Sequence, residues 1–127
     1  MVVNLGNAHT FAALAQGGRL WGIYEHHTGL LTPDKLFSHL ARFQAGELTY
    51  EEVFADQGHG CAYGPDYSPA LSFKFTVITG PRRHLARGWP GGIFAAPFGD
   101  MMLTGCFGLV AAFLEQEESS NMLQYSF

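Results

Sequence analysis

The residues best suited to chemistry lie in the stretch IYEHHTG, where a glutamate precedes two consecutive histidines. Imidazole nitrogens and carboxylate oxygens bind divalent transition metals, so Glu25, His26 and His27 are candidate ligands. Neighbouring strand residues point to opposite faces of a sheet, so both histidines reach one ion only if the strand ends between them. His9, on the adjacent predicted strand, could pair with either histidine. A His9–His26 or His9–His27 pair together with Glu25 or Asp100 would suit such a metal.

Two other interpretations of this stretch remain open. It could form the rim of a nucleotide or phosphate site, or it could be a polar strand end that faces solvent or another lobe. The metal interpretation would make the chain a metal-dependent hydrolase that uses His9, His26 and His27. A separate histidine, His59, lies between two glycines in a predicted loop and could swing over a site as lid residues do, although simple exposure is the commoner case.

Composition limits the classes of partner. The 127 residues fit one domain, and a charged content of 14% with a net charge of −4 leaves no basic footprint for nucleic acid. The basic cluster consists of Arg82, Arg83, His84 and Arg87. Its guanidinium groups could hold a phosphate or a carboxylate, and an exposed helix start is the simpler interpretation.

Cysteine usage and hydropathy suggest a compartment. Cys61 and Cys106 lie far apart and form no C-x-x-C pair, so we expect neither a structural zinc site nor an iron–sulfur cluster. Two free cysteines suit a reducing cytoplasm. No basic-then-apolar leader opens the chain, and the longest apolar stretch is interrupted by glycines, so we expect no membrane span.

The first part of the chain predicts an antiparallel meander. Apolar runs rich in β-branched and aromatic residues are separated by Gly6-Asn7 and by Gly17-Gly18. Both are turn pairs that tolerate the positive φ of tight hairpins. The predicted strands span residues 2–5, 9–16 and 19–27. Helix is the alternative for the run FAALAQ, because alanine and leucine favour it.

The rest of the chain predicts alternating helices and strands. Thr32 and Pro33 begin a helix that Gly46 ends, and Thr49 with Glu52 forms a capping box for a second, short helix. Further along the chain we expect a loop at 58–69, a strand at 72–79, one or two helical turns, a short strand at about 93–96 and a helix at about 100–116. The predicted class is α/β with a mixed sheet of about five strands, formed by one lobe over residues 1–118 and followed by a polar tail at 119–127.

This order of elements is similar to the ribonuclease H-like fold, which forms a lobe of the actin, hexokinase and Hsp70 ATPase superfamily. Those ATPases hold nucleotide and magnesium between two such lobes. In the superfamily, a D-x-G-x-x-x-T motif follows the first strand and faces the phosphates. The matching run here is Asn4-Leu5-Gly6-Asn7-Ala8-His9-Thr10, with Asn4 in place of the acid. The run VITGPRR resembles a strand that enters an adenosine-binding Gly-Gly turn, in which Gly80 matches the first glycine.

The resemblance implies ATP with magnesium as ligands of an intact, two-lobed protein. The implied nucleotide-binding residues are Asn4, Gly6, Asn7, His9, Thr10 and Gly80. Because the first predicted strand begins at residue 2, we expect a C-terminal fragment whose partner is a missing N-terminal lobe, or a homodimer formed through the exposed interlobe surface. A non-catalytic interaction lobe is a further alternative.

More narrowly, the runs NLGNAHT, EHHTG and GDMMLTGCFGLVAA resemble the C-terminal part of a prokaryotic family often labelled "putative pyruvate formate-lyase activating enzyme". The label implies a radical enzyme that needs C-x-x-x-C-x-x-C to hold an iron–sulfur cluster. The sequence has no such motif. This polypeptide is therefore not expected to be a complete activase of that kind.

Overall fold

The structure is a computed structural model that describes the backbone of residues 1–124 and the side chains of residues 1–97 and 99–117. The chain divides into two compact units. The first spans Met1–Ala95 and the second begins at Ala96. The predicted extent of a single lobe, residues 1–118, stays a prediction.

A six-stranded mixed sheet forms the first unit, so the protein has the mixed α/β architecture that the sequence predicts, with one more strand than expected. The spatial order is β4-β3-β2-β1-β5-β6. The first four strands pair antiparallel, whereas β5 pairs parallel to both β1 and β6. The strands are β1 (Val2–Leu5), β2 (His9–Gln16), β3 (Arg19–His27), β4 (Gly60–Tyr63), β5 (Thr76–Thr79) and β6 (Gly92–Phe94).

The predicted meander is confirmed at all three strands, and FAALAQ lies within β2 rather than in a helix. Gly17 and Gly18 both have positive φ, as the tight turn between β2 and β3 requires. The register of β2 and β3 pairs His9 with His27 and Thr10 with His26. This register decides which side chains share a face of the sheet.

The predicted loop at 58–69 is wrong at its beginning, because β4 lies within it. β4 pairs antiparallel with β3, with Gly60 opposite Glu25 and Ala62 opposite Ile23. Its glycine-rich composition is typical of a loop, and only the unpaired edge of β3 gives this segment a hydrogen-bonding partner.

The predicted strand at 72–79 is too long, because β5 begins at Thr76. Its neighbour β1 begins at Val2, which pairs with Val77, and the ammonium group of Met1 donates a hydrogen bond to the carbonyl of Phe75 (2.6 Å). Among the described residues, no strand therefore pairs with residues 72–75. The predicted helical turns are confirmed as a 3₁₀ helix at Arg83–Ala86, and β6 ends before the predicted residue 96.

Two α-helices follow the meander in the first unit. α1 spans Pro33–Ala45, where the Thr32 side chain accepts a hydrogen bond from the N–H of Lys35 and Gly46 ends the helix at φ 74°. α2 spans Tyr50–Ala55 and has the predicted capping box between Thr49 and Glu52. The caps confirm both predicted helices.

One face of the sheet is covered by α1, and the opposite face is partly exposed. Alternate residues of the meander are buried in one core with the apolar side of α1, formed by Val3, Leu5, Ala12, Leu14, Tyr24, Leu36, Leu40 and Phe43. Side chains of the opposite face, namely Val2, Phe11, Ile23 and Ile93, are 41–49% exposed. We call this opposite side the open face; it carries Asn4, His9, Glu25 and His27.

The second unit contains a 3₁₀ helix at Pro97–Gly99 and α3 at Thr104–Gln124. The predicted helix at 100–116 begins four residues later than expected, because the Asp100 carboxylate accepts from the N–H of Met102 and holds a turn there. The helix also continues beyond the predicted end, into the predicted polar tail. None of the helices in the described part of the chain has both the length and the hydropathy to cross a bilayer.

Candidate functional site

The candidate residues of the first unit gather at one edge of the sheet. β1, β3 and β5 end there, and β2 and β4 begin there, because β1 and β5 are parallel while the meander strands alternate in direction. Open α/β sheets bind ligands outside the carboxyl ends of their parallel strands. We call this edge the carboxyl edge.

Three histidines form a cluster at the carboxyl edge. His9 and His27 are direct partners on β2 and β3, with ring centroids 5.0 Å apart. The ring of His59 lies 5.0 Å from that of His9 and 4.6 Å from that of His27. One ligand nitrogen from each ring lies within 4.8 Å of the other two. We call these residues the histidine triad.

His59 has a backbone hydrogen bond to β3 in this structure, whereas its motion as a lid stays a prediction. Its N–H donates to the carbonyl of Glu25 (3.0 Å) immediately before β4. A Cβ on Gly58 would lie 2.5 Å from the His26 ring, and a Cβ on Gly60 would lie 2.3 Å from the Tyr50 ring. The two glycines therefore permit the close packing that positions His59.

Glu25 shares the open face with the triad. Its partner on β2 is Phe11, two residues from His9, so Glu25 and His9 are diagonal neighbours. The Glu25 carboxylate lies 3.9 Å from Nδ1 of His9, and 42% of the Glu25 side chain is exposed. The carboxylate is therefore available to orient the imidazole ring of His9.

His26 points to the covered face, so its predicted partnership with His9 and His27 at one ion does not occur in this structure. Its side chain is 0% exposed, its Nε2 lies 3.1 Å from an Asp56 carboxylate oxygen, and its Nδ1 lies 3.1 Å from the carbonyl of His27. The alternation of strand faces separates His26 from His27. Asp100, the other predicted ligand, lies in the second unit.

A second group, His26, His39 and Asp56, also brings possible ligand atoms together. The ammonium group of Lys35 lies 2.8 Å from the Asp56 carboxylate and already neutralises it. The hydrogen bond from Lys35 holds the pKa of Asp56 below its usual range, and the bond to His26 acts in the same direction. The charges of this group are therefore balanced within it, and its hydrogen bonds stabilise the fold.

Acidification is expected to destabilise the first unit partly through His39. Burial lowers the pKa of His39, and the nearby His26 lowers it further. Since the folded state binds the proton less well than the unfolded state, stability is lost as pH falls through the unfolded pKa toward the folded one, below about pH 6.5. His39→Asn retains a hydrogen-bonding group for the Tyr24 hydroxyl, which lies 3.0 Å from Nδ1 of His39. Urea unfolding should show a smaller pH dependence for this variant.

His84→Asn, which makes the same replacement at an exposed histidine, is the matched control for the substitution itself. It should leave the free energy of unfolding as in the wild type. If the free energy of unfolding changed by the same amount in the wild type and in His39→Asn between about pH 7 and pH 5, the assignment to His39 would be contradicted.

The turn after β1 leaves two backbone N–H groups available. None of its residues has a positive φ, so the tight-hairpin backbone predicted for Gly6-Asn7 is wrong, and of the two predicted turns only Gly17-Gly18 has that conformation. The N–H of Gly6 donates to the carbonyl of His9 (3.0 Å), and the N–H of Thr28 donates to the carbonyl of Ala8 (2.8 Å). Asn7 and Ala8 are exposed, and within residues 1–124 no protein acceptor binds their N–H groups. Successive unpaired N–H groups in a turn attract anions.

Gly80 and Asn4 meet beside this turn. Gly80 follows β5 with φ +98°, and a Cβ there would lie 2.4 Å from the Leu5 carbonyl oxygen and 2.6 Å from Oδ1 of Asn4. The N–H of Arg82 donates to the same Leu5 carbonyl (2.9 Å). Four of the implied nucleotide-binding residues, Asn4, Gly6, Asn7 and Gly80, are thus brought together.

Thr10 is placed apart from them. Its side chain is 0% exposed on the covered face, and its hydroxyl is hydrogen-bonded to that of Thr28 (2.9 Å). Thr10 therefore joins β2 to the segment after β3 in this structure, and its implied phosphate contact stays a prediction. His9, the remaining implied residue, belongs to the histidine triad.

Sequence reasoning did not identify His59 as a companion of His9 and His27. The available signal was a histidine between two glycines, in GHGC. That signal became specific only once β4 was known to pair with β3, which brings His59 beside the histidine pair.

Comparisons with known proteins give a family. A search of curated proteins and a search of solved structures found no significant match. A family model described as "Putative pyruvate format-lyase activating enzyme (DUF1786)" matches residues 1–85. Because the match covers more than half of the 127 residues, the chain belongs to this family.

Proposed function

We propose that the first unit is a phosphate-binding lobe of the actin-like ATPase type, whose ligand is a nucleotide. The observation that carries the proposal is the meeting of the Gly6-Asn7 turn with Gly80 at the carboxyl ends of two parallel strands. The proposal does not rest on the activity named in the family's description.

Backbone and side-chain charge both suit a phosphate group. The N–H groups of Asn7 and Ala8 are available as donors on an exposed turn. The nearby Arg82 has an exposed side chain with no acidic partner among the described residues. Backbone amides and a guanidinium group together form the usual donor set for phosphate oxygens.

The arrangement of the sheet supports the ribonuclease H-like interpretation of the fold. A three-stranded antiparallel meander is followed by β5 and β6, which extend the sheet in parallel on the far side of β1. The resemblance to the ribonuclease H-like fold rests on the same pattern, which is a meander followed by alternating helices and strands.

The proposal includes magnesium and a second lobe. Asn4 offers a neutral amide where the superfamily motif has an acid, so this lobe alone would hold a hydrated magnesium ion weakly. A second lobe, or a second copy of the chain, would cover the open face and supply further ligands. The exposed Val2, Phe11, Ile23 and Ile93 on that face support such a cover.

Isothermal titration of the purified chain with Mg-ATP, ADP and inorganic phosphate tests the proposal. Transition metals are excluded from the buffer. We expect the wild type to bind Mg-ATP, and Arg82→Gln to weaken binding about tenfold, as the loss of one charge-assisted hydrogen bond predicts. Binding should also weaken with rising salt concentration, because the contacts are electrostatic.

Arg19→Gln is the matched control. Arg19 lies at the opposite edge of the same sheet, where it pairs with Asp66 (2.9 Å) and stacks over Trp21. Its replacement should leave nucleotide affinity unchanged. Absence of any binding of Mg-ATP, ADP and phosphate, or equal affinities of wild type and Arg82→Gln, would refute the proposed site.

A further inference from the structure

We propose that His9, His27 and His59 bind a divalent transition metal ion, with Glu25 as the residue that orients His9. The metal site consists of a different set of side chains from the phosphate site and does not depend on it; only the substrate class, phosphate esters, rests on the proposed function. It rests on the geometry of three rings that approach one another from two neighbouring strands and the start of a third.

The spacing of the nitrogens is close to that of a metal centre. Zinc binds imidazole nitrogens at about 2.0–2.1 Å, so tetrahedral geometry places ligand nitrogens about 3.4 Å apart. The three ligand nitrogens already lie within 4.8 Å of one another. The largest approach needed is thus about 1.4 Å, which small rotations of the exposed or half-exposed side chains can provide.

The backbone holds the ligands before a metal binds. His9 and His27 are fixed by direct pairing in the sheet. His59 is fixed by its hydrogen bond to Glu25 and by the close packing around Gly58 and Gly60. A site carried on strands loses less conformational freedom on binding than one assembled from loops.

Glu25 lies close to the position of an outer carboxylate. Metal-bound histidines usually donate their second ring N–H to a carboxylate or a carbonyl group. The Glu25 carboxylate lies 3.9 Å from Nδ1 of His9. That separation is too long for a hydrogen bond, so the carboxylate must approach by about 1 Å before the nitrogen donates to it. Nε2 of His9 then remains to bind the ion.

The donor set selects the class of metal and leaves one position open. Three imidazoles favour Zn²⁺, Cu²⁺, Fe²⁺ or Ni²⁺ over Mg²⁺ and Ca²⁺, which prefer oxygen ligands. Three protein ligands with an open fourth position are typical of catalytic rather than structural zinc sites. His9 and His59 are exposed, so water can reach that position. A water molecule there would have its pKa lowered toward neutrality, which suits hydrolysis.

The metal centre would adjoin the phosphate-binding turn. The Gly6-Asn7-Ala8 turn leads directly into His9, and its first N–H donates to the His9 carbonyl. A phosphate oxygen held by the turn could therefore occupy the open metal position. We therefore infer that the substrates of metal-assisted hydrolysis at the carboxyl edge are phosphate esters.

Equilibrium dialysis of the chelator-treated chain against Zn²⁺, followed by measurement of bound metal, tests the site in the absence of nucleotide. We expect stoichiometric binding by the wild type and a loss of affinity of at least about 100-fold in His59→Ala and His27→Ala, since they remove direct ligands. Glu25→Gln should weaken binding by about tenfold, as outer carboxylates do. Co²⁺ substitution adds a visible absorption spectrum that reports the coordination geometry.

Two variants control for adventitious metal binding. His84→Ala removes an exposed histidine outside the triad, and Cys106→Ser removes the exposed thiol. Both should bind zinc as the wild type does. Circular dichroism should show that each triad variant remains folded, since its side chain is not part of the buried core.

Three outcomes would overturn the inference: no stoichiometric binding, undiminished binding in His59→Ala, or an equal loss in His84→Ala or Cys106→Ser. These outcomes leave the nucleotide titration unaffected, because it is carried out without transition metals. Failure of nucleotide binding likewise leaves the zinc measurement unaffected.

Discussion

Replacing Phe43 with alanine is expected to lower the free energy of unfolding by about 3–5 kcal/mol, the usual cost of removing a buried phenylalanine side chain. Phe43 lies on the apolar side of α1 and is 0% exposed. Its ring centroid lies 5.8 Å from that of Tyr24 on β3 and 5.4 Å from that of Tyr63 on β4. The cavity would therefore open between α1 and the strands β3 and β4. β3 carries His27, and β4 begins directly after His59.

Phe54→Ala is the matched control, because Phe54 is 61% exposed at the end of α2. Removing it should cost less than about 1 kcal/mol, since little apolar area returns to water and no cavity forms. Urea unfolding of the three proteins, followed by circular dichroism, gives the comparison. Similar losses in Phe43→Ala and Phe54→Ala would contradict the placement of α1 on the sheet.

Gly80→Ala is expected to cost about 2–4 kcal/mol, from an unfavourable backbone conformation and a collision together. The φ of Gly80 is +98°, a value that residues with a Cβ rarely adopt. The new methyl group would lie 2.4 Å from the carbonyl oxygen of Leu5, which is backbone and cannot rotate away. Relief of the collision would separate the ends of β1 and β5, so phosphate binding should weaken as well.

Gly88→Ala separates the two contributions. Gly88 has a closely similar φ of +92°, but no atom of the described residues lies within 4 Å of the position of its Cβ. The cost should be confined to the backbone preference, about 1–2 kcal/mol. Equal destabilisation in urea by the two substitutions would show that the collision at Gly80 is absent, and with it the close approach of the two strand ends.

Local signals were sufficient for the parts of the fold that use neighbouring residues. Gly17-Gly18 and the apolar runs beside it predicted the meander, and Thr32, Pro33 and Gly46 predicted both ends of α1. A turn or a helix cap is satisfied by residues a few positions away, so its chemistry is visible in the sequence. The same holds for the capping box of α2.

The sequence also determined that histidines and a glutamate would lie at a strand end, and that only one of two adjacent histidines could face a given side. The tertiary structure alone decided that this histidine is His27, because α1 covers the face to which His26 points. It alone placed His59, since β4 depends on pairing with a strand more than thirty residues earlier. It alone set the start of β5, which requires β1 beside it. Pairing between distant segments carries no local signature, because each strand edge acquires its partner only when the chain has folded.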